Sequence, residues 1–148
     1  MRKFILLVVA ATLCVSFPMA AKARKTLYMV GDGTMAEYPV DSTGVSACGW
    51  GQMLQQYLAP HVNIVNVAKI GTSAKTFIDS KEVDAIEKLR ARSIVFLQFG
   101  TNDLKEFDGN KHSTLEALTR RLNDIIKIAR QNRINIVLCT PLAQPYYQ

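Results

Sequence analysis

The chain has 148 residues, carries 18 Lys and Arg against 12 Asp and Glu, and is 49% apolar. That length points to one domain. Charges scattered rather than clustered, for a net +6, argue against a nucleic-acid-binding surface, and two His with three Cys show no metal-ligand spacing.

Residues 1–23 read as a targeting segment. Arg2 and Lys3 form a charged start, Phe4 to Phe17 is almost wholly apolar, and Ala21-Lys22-Ala23 is a small-x-small cleavage site before Arg24. The apolar run is too short and wrongly flanked for a stable membrane span. Leu13 ahead of Cys14 is too bulky for lipid attachment, so export is expected. Removing Arg2, Lys3 and Lys22 from the 18 basic residues leaves 15 against 12 acidic ones, so much of the positive charge belongs to the leader. The domain is expected over 24–148.

Leu27–Val30 reads as the first strand. Trp50, Met53, Leu54, Tyr57 and Leu58 share one face of a first helix, and Val62–Val67 is the second strand. Val83, Ile86 and Leu89 mark a second helix. Ile94–Phe99 is a third strand, apolar on both faces apart from Gln98. Ser113-Thr114-Leu115-Glu116 has the spacing of a capping box. It opens a helix whose apolar stripe is Leu115, Leu118, Leu122, Ile125, Ile126 and Ala129. Ile134–Cys139 is the fourth strand, ended by Pro141. Strands alternating with helices, apolar on both faces, predict an α/β fold with a parallel sheet covered on both sides.

Right-handed crossovers put all strand C-termini on one edge. Three polar, glycine-containing turns leave the first three strands there: Gly31-Asp32-Gly33-Thr34, Ile70-Gly71-Thr72-Ser73 and Gly100-Thr101-Asn102-Asp103. They are expected to converge on one rim, where open α/β sheets bind ligands. Each turn alone is weak evidence, since Asp-Gly is common turn chemistry. A phosphate-loop reading fails because no Lys and Ser/Thr follow the glycines at the required spacing.

The ordered set of Gly31-Asp32-Gly33-Thr34-Met35, Gly49-Trp50-Gly51, Asn66-x-Ala68-x-x-Gly71-x-Ser73 and Phe99-Gly100-Thr101-Asn102-Asp103 resembles the SGNH, or GDSL-like, serine esterases. Within that family it is similar to the rhamnogalacturonan-acetylesterase-like carbohydrate esterases. The resemblance implies a three-layer αβα, flavodoxin-like fold with parallel strands ordered 2-1-3-4-5. Four strands are legible, so a C-terminally truncated copy is expected. It also implies hydrolysis of O-acetyl esters on an acetylated polysaccharide or oligosaccharide, with no cofactor and no metal. The family's nucleophilic Ser falls at Gly33. Its oxyanion donors fall at the N–H of Gly33, the N–H of Gly71 and the side-chain amide of Asn102. Asp32, Thr34, Ser73 and Asp103 fall in loop-supporting positions. The family's Asp-x-x-His block has no counterpart in these 148 residues.

Three readings follow. The chain is an esterase copy inactive as written, a non-catalytic carbohydrate-binding pseudo-enzyme, or a hydrolase with Thr34 or Ser73 as a replacement nucleophile. Under the binding reading Trp50 and Tyr38 are candidate stacking residues, although helical spacing favours a core place for Trp50. His61 and His112 are poor bases by position. Cys48 and Cys139 are a candidate pair in an oxidising compartment or two free thiols. The fourth strand, apolar on both faces and uncovered, is expected to favour self-association.

Overall fold

The computed structural model describes residues 25–39, 48–104, 106–107, 110–111 and 113–142. The proposed leader and His112 lie outside the described residues.

Four parallel strands form the sheet: β1 (Lys25–Gly31), β2 (Val62–Asn66), β3 (Ile94–Gln98) and a last strand, Asn135–Leu138, in the spatial order second, first, third, last. A two-stranded antiparallel hairpin, β4 (Glu106–Phe107) with β5 (Asn110–Lys111), interrupts the chain before the last strand, which is therefore β6. Periodicity gave no sign of this hairpin, because two-residue strands are too short to show any.

The register explains the layering. Tyr28 and Val30 pair with Val95 and Leu97, and these residues face one side. There they meet α2 (Ala74–Asp79), α3 (Asp84–Glu87) and α4 (Leu115–Gln131). Val30, Phe77, Val95, Leu97, Phe99, Leu118, Ile125 and Ala129 are all buried in this core. Phe77 and Phe99 pack with ring centroids 5.4 Å apart. Leu27 and Met29 pair with Ile94 and Phe96 on the opposite side. On that side lies α1 (Trp50–Met53), whose Trp50 ring packs on Phe96, and the chain runs on into the 3-10 turn Leu54–Tyr57. The molecule is thus a three-layer α/β fold.

Several helical expectations need correction. The predicted apolar face of the first helix is not a core face beyond Trp50: Met53 and Tyr57 are exposed, the latter by 77%. The helix lasts one turn before tightening to 3-10 geometry, so its sequence spacing never repeats. The second helix predicted from Val83, Ile86 and Leu89 is the single turn α3, and a further short helix, α2, precedes it. The sequence reading missed α2 because its apolar residues are too few to form a stripe. The last helix starts one residue later than its capping box implied. Thr114, not Ser113, is the cap, and its side chain accepts from Ala117 N–H at 3.2 Å. Ser113 instead accepts from Arg121. Leu115 is consequently the first helical residue and is 64% exposed, outside the stripe where it was expected. The complete capping box belongs to Ser73 and Thr76 at the start of α2.

Glu116 sits in the first turn of α4, where its own backbone N–H and the Thr114 side chain hold its carboxyl below the usual range. Cys48 and Cys139 are both free thiols, Cys48 exposed and Cys139 half-buried, with burial pushing the latter's thiol up. Among the described residues no helix is long and apolar enough to cross a membrane. Strand β6 lies at the edge of the sheet, with Val137 and Leu138 43% and 54% exposed.

Candidate active site

The rim is built from three turns that lock one another. β1 runs into a tight turn in which the Asp32 carbonyl accepts from Met35 and Ala36 N–H, both at 3.1 Å. The Asp32 carboxylate folds back over the same turn, its Oδ1 accepting from Thr34 N–H at 2.9 Å and from Thr34 Oγ1 at 2.7 Å. This is the Asx arrangement that Asp favours in turns. Asp32 is 1% exposed, and its Oδ2 is buried with no partner among the described residues.

The second turn leaves β2 through Asn66, whose side chain donates to Met35 O at 2.9 Å and accepts from Ala68 N–H at 3.1 Å. It ties the second loop to the first. Gly71 follows with φ +79°, a left-handed conformation that disfavours any side chain. Ser73 then caps α2: its Oγ accepts from Thr76 N–H at 3.1 Å.

The third turn leaves β3. Asn102 Nδ2 donates to Thr72 O at 2.9 Å. Asp103, buried, accepts from Ala74 N–H through both carboxylate oxygens, at 3.1 and 3.0 Å. Two loops thereby share the α2 N-terminus. Asp103→Ala is expected to cost about 2 kcal/mol, because it leaves the buried Ala74 N–H without an acceptor. Chemical denaturation checks this, and a loss below about 0.5 kcal/mol would contradict the account.

These turns enclose a cleft of about 230 Å³ lined by Asp32, Gly33, Thr34, Tyr38, Ile70, Gly71, Thr101 and Asn102. Gly33, Gly71 and Asn102 are therefore brought together, with Asp32 and Thr34 beside them. Ser73 and Asp103 stand behind the wall, holding α2. Among the described residues the N–H groups of Gly33 and Gly71 have no hydrogen-bond partner. A Cβ placed on Gly33 would lie 2.9 Å from the Tyr38 hydroxyl and 3.4 Å from Ile70 Cα.

Thr34 and Ser73 both have committed hydroxyls. Thr34 Oγ1 donates to Asp32 and accepts from Gln98 Nε2 at 3.1 Å, while Ser73 Oγ serves the helix cap. His61 lies just ahead of β2, its carbonyl accepting from Lys25 N–H at the opposite edge of the sheet. Among the described residues no group of His, Cys, Asp and Glu is placed to hold a metal.

Trp50 is not a cleft residue. Its ring packs on Phe96 at 6.3 Å and its Nε1 donates to Gln98 Oε1 at 2.6 Å. Gln98, 1% exposed, also donates to Thr140 O at 3.3 Å. It joins the first turn, α1 and the segment after β6 beneath the rim. Sequence reasoning noted Gln98 as the polar exception in an apolar strand but assigned it no role. Ile70 and Thr101 were passed over as site residues, although each adjoins a residue that was named.

Residues 27–148 match the GDSL-like lipase/acylhydrolase family. The chain is 31% identical over 124 residues to the probable rhamnogalacturonan acetylesterase YesY of Bacillus subtilis, covering 82% of this chain and 56% of that protein. It is 30% identical over 91 residues to the rhamnogalacturonan acetylesterase RhgT of the same organism, covering 61% of this chain and 38% of that one. The solved structure of YxiM from Bacillus subtilis superposes with a TM-score of 0.68 at 27% identity, over 80% of this chain and 33% of the other. An acetyl xylan esterase from Geobacillus stearothermophilus shares the fold, with a TM-score of 0.60 at 21% identity over 80% of this chain and 60% of that one. The chain thus spans little more than half of YesY and less of RhgT. A family match over residues 27–148, on a parallel sheet whose three rim turns carry the expected blocks, makes this chain a member of the GDSL-like lipase/acylhydrolase family.

Proposed function

We propose that the cleft is an acetyl-sugar site of the carbohydrate-esterase type, and that this chain does not hydrolyse the ester it receives. The observation that carries the reading is Gly33: the residue after Gly31-Asp32 reaches the cleft with no side chain to attack an acyl carbon. Acyl transfer through a covalent intermediate needs that nucleophile and a base beside it. The committed hydroxyls of Thr34 and Ser73 speak against a replacement. An organophosphonate probe is expected to leave both unlabelled, and labelling of either would support a rewired hydrolase.

The donors remain. The N–H groups of Gly33 and Gly71 and the side-chain amide of Asn102 are the groups that would receive an acyl oxygen. Their survival favours a second reading, a binding protein that holds an O-acetylated carbohydrate. Calorimetric titration with an acetylated rhamnogalacturonan oligosaccharide tests both readings. Binding without acetate release supports the pseudo-enzyme, release at enzymatic rates overturns the inactive reading, and neither leaves a decayed esterase copy.

Two further properties belong to this proposal. Residues 1–23 direct export, which N-terminal sequencing of secreted protein would show as a start at Arg24. The β6 edge drives self-association, since exposed Val137 and Leu138 sit beside a strand edge that has no further partner strand among the described residues. Sedimentation is expected to show a concentration-dependent mass. A monomer with a sharp cooperative melt would contradict it.

A further inference from the structure

We propose that Tyr38 takes the place of the missing side chain at residue 33 and serves the cleft as a ligand-binding hydroxyl, donating to the acyl oxygen of an O-acetylated sugar. The inference rests on the reading that the cleft receives an O-acetyl group. It adds a donor that none of the three glycine-containing turns supplies.

The first observation is steric. The Tyr38 hydroxyl lies 2.9 Å from where a Cβ on residue 33 would stand, closer than side chains approach one another. A side chain at 33 and the hydroxyl at its present position exclude each other, so Gly33 and Tyr38 form a matched pair. The second concerns placement. The Gln52 side chain grips the Tyr38 backbone from both sides, Oε1 accepting from Tyr38 N–H and Nε2 donating to Tyr38 O, each at 3.1 Å. The ring therefore leaves a fixed point on the chain. The third concerns chemistry. The hydroxyl shares its cleft with the Gly33 and Gly71 N–H groups, which have no hydrogen-bond partner among the described residues. Ile70 Cα lies 3.4 Å from the same Cβ position, so the second loop closes on the point where Tyr38 arrives. A phenolic O–H both donates and accepts, and toward an oxygen that carries no proton it donates. An acyl oxygen, which only accepts, fits the side of the cleft where the hydroxyl and the Gly33 and Gly71 N–H groups lie. Asp32 Oδ2 and Thr101 Oγ1, without partners among the described residues, belong to the same lining. No covalent step is involved.

The test compares the wild-type chain with Tyr38→Phe, Gly33→Ala and the double variant, all checked for folding by circular dichroism. The probes are an O-acetylated methyl galactopyranoside and its deacetylated parent, with affinities read by NMR titration. The acetylated sugar is expected to bind the wild type in preference to the parent. Tyr38→Phe, which removes the hydroxyl alone, is expected to bind it about fivefold more weakly. Gly33→Ala, whose Cβ displaces the hydroxyl, is expected to weaken binding similarly. The double variant is expected to be no weaker than either single one, because both remove the same contact. Equal affinity of wild type and Tyr38→Phe would overturn the role of Tyr38 and leave the cleft's reading standing. Tighter binding by Tyr38→Phe would overturn it too, marking the ring as an obstruction. No binding by any of the four folded proteins at millimolar sugar would overturn the cleft's reading, and this inference with it.

Discussion

Acetate release from an acetylated rhamnogalacturonan fragment is expected to run on the order of 10⁶-fold below that of a serine-bearing relative, because loss of the nucleophile alone removes nearly all the gain of a catalytic unit. What is left is positioning and oxyanion donation, typically about 10³–10⁴-fold over water. Under the proposed reading that residue of chemistry comes from the Gly33 and Gly71 N–H groups, which no side-chain change touches. Gly33→Ser requires a side-chain rearrangement. The serine Cβ would meet the Tyr38 hydroxyl at 2.9 Å, so Tyr38 must swing away before the new side chain fits. Release within about 100-fold of the serine-bearing relative, measured by coupled acetate assay on the unmodified chain, would contradict the inactive reading.

Gly49→Ala is expected to cost about 3 kcal/mol or more, the upper range for overpacking a core. Gly49 has φ −78° and ψ 146°, an ordinary extended conformation, so the reason is space and not dihedral freedom. A Cβ there would sit 2.1 Å from Ala36 O and 2.7 Å from both Ala36 N and Met35 C. These are backbone atoms of the first turn and cannot step aside as a side-chain tip would. Trp50 N–H also donates to Thr34 O at 3.0 Å, so the segment is pressed against the turn that forms the cleft. Thermal unfolding should show Tm lowered by roughly 10 °C or more for a domain of this size. A change within about 2 °C would mean that the two segments are less closely packed than described.

The sequence carried the strands well, because apolar β-branched runs separated by helical stretches predict a parallel sheet covered on both faces. The convergence of three turns followed from handedness and chain direction, whereas the order of β2, β1, β3 and β6 was implied by the family resemblance alone. The helices were less legible. Stripe counting needs several turns, and α1, α2 and α3 have six residues or fewer, too short for a repeat. The Ser73 cap was hidden for the same reason, while the Ser113 spacing imitated a capping box one residue out of phase. In the site, residues flanked by glycine and polar turn signals were easy to single out. Tyr38 was named only as a candidate stacking residue and Gln98 was given no role, because what each does depends on tertiary approach. Tyr38 reaches Gly33 across a turn, and Gln98 connects Trp50, Thr34 and Thr140 from inside the sheet. A lone Gln in a buried apolar strand was the available signal for the second.

The most direct test is an amide-resolved NMR titration of the chain with an O-acetylated rhamnogalacturonan oligosaccharide, with free acetate followed in the same tube. The account predicts saturable shifts at the Gly33 and Gly71 amides and the Asn102 side chain, with no acetate appearing above background. Shifts that avoid these groups, or steady acetate release, would contradict it.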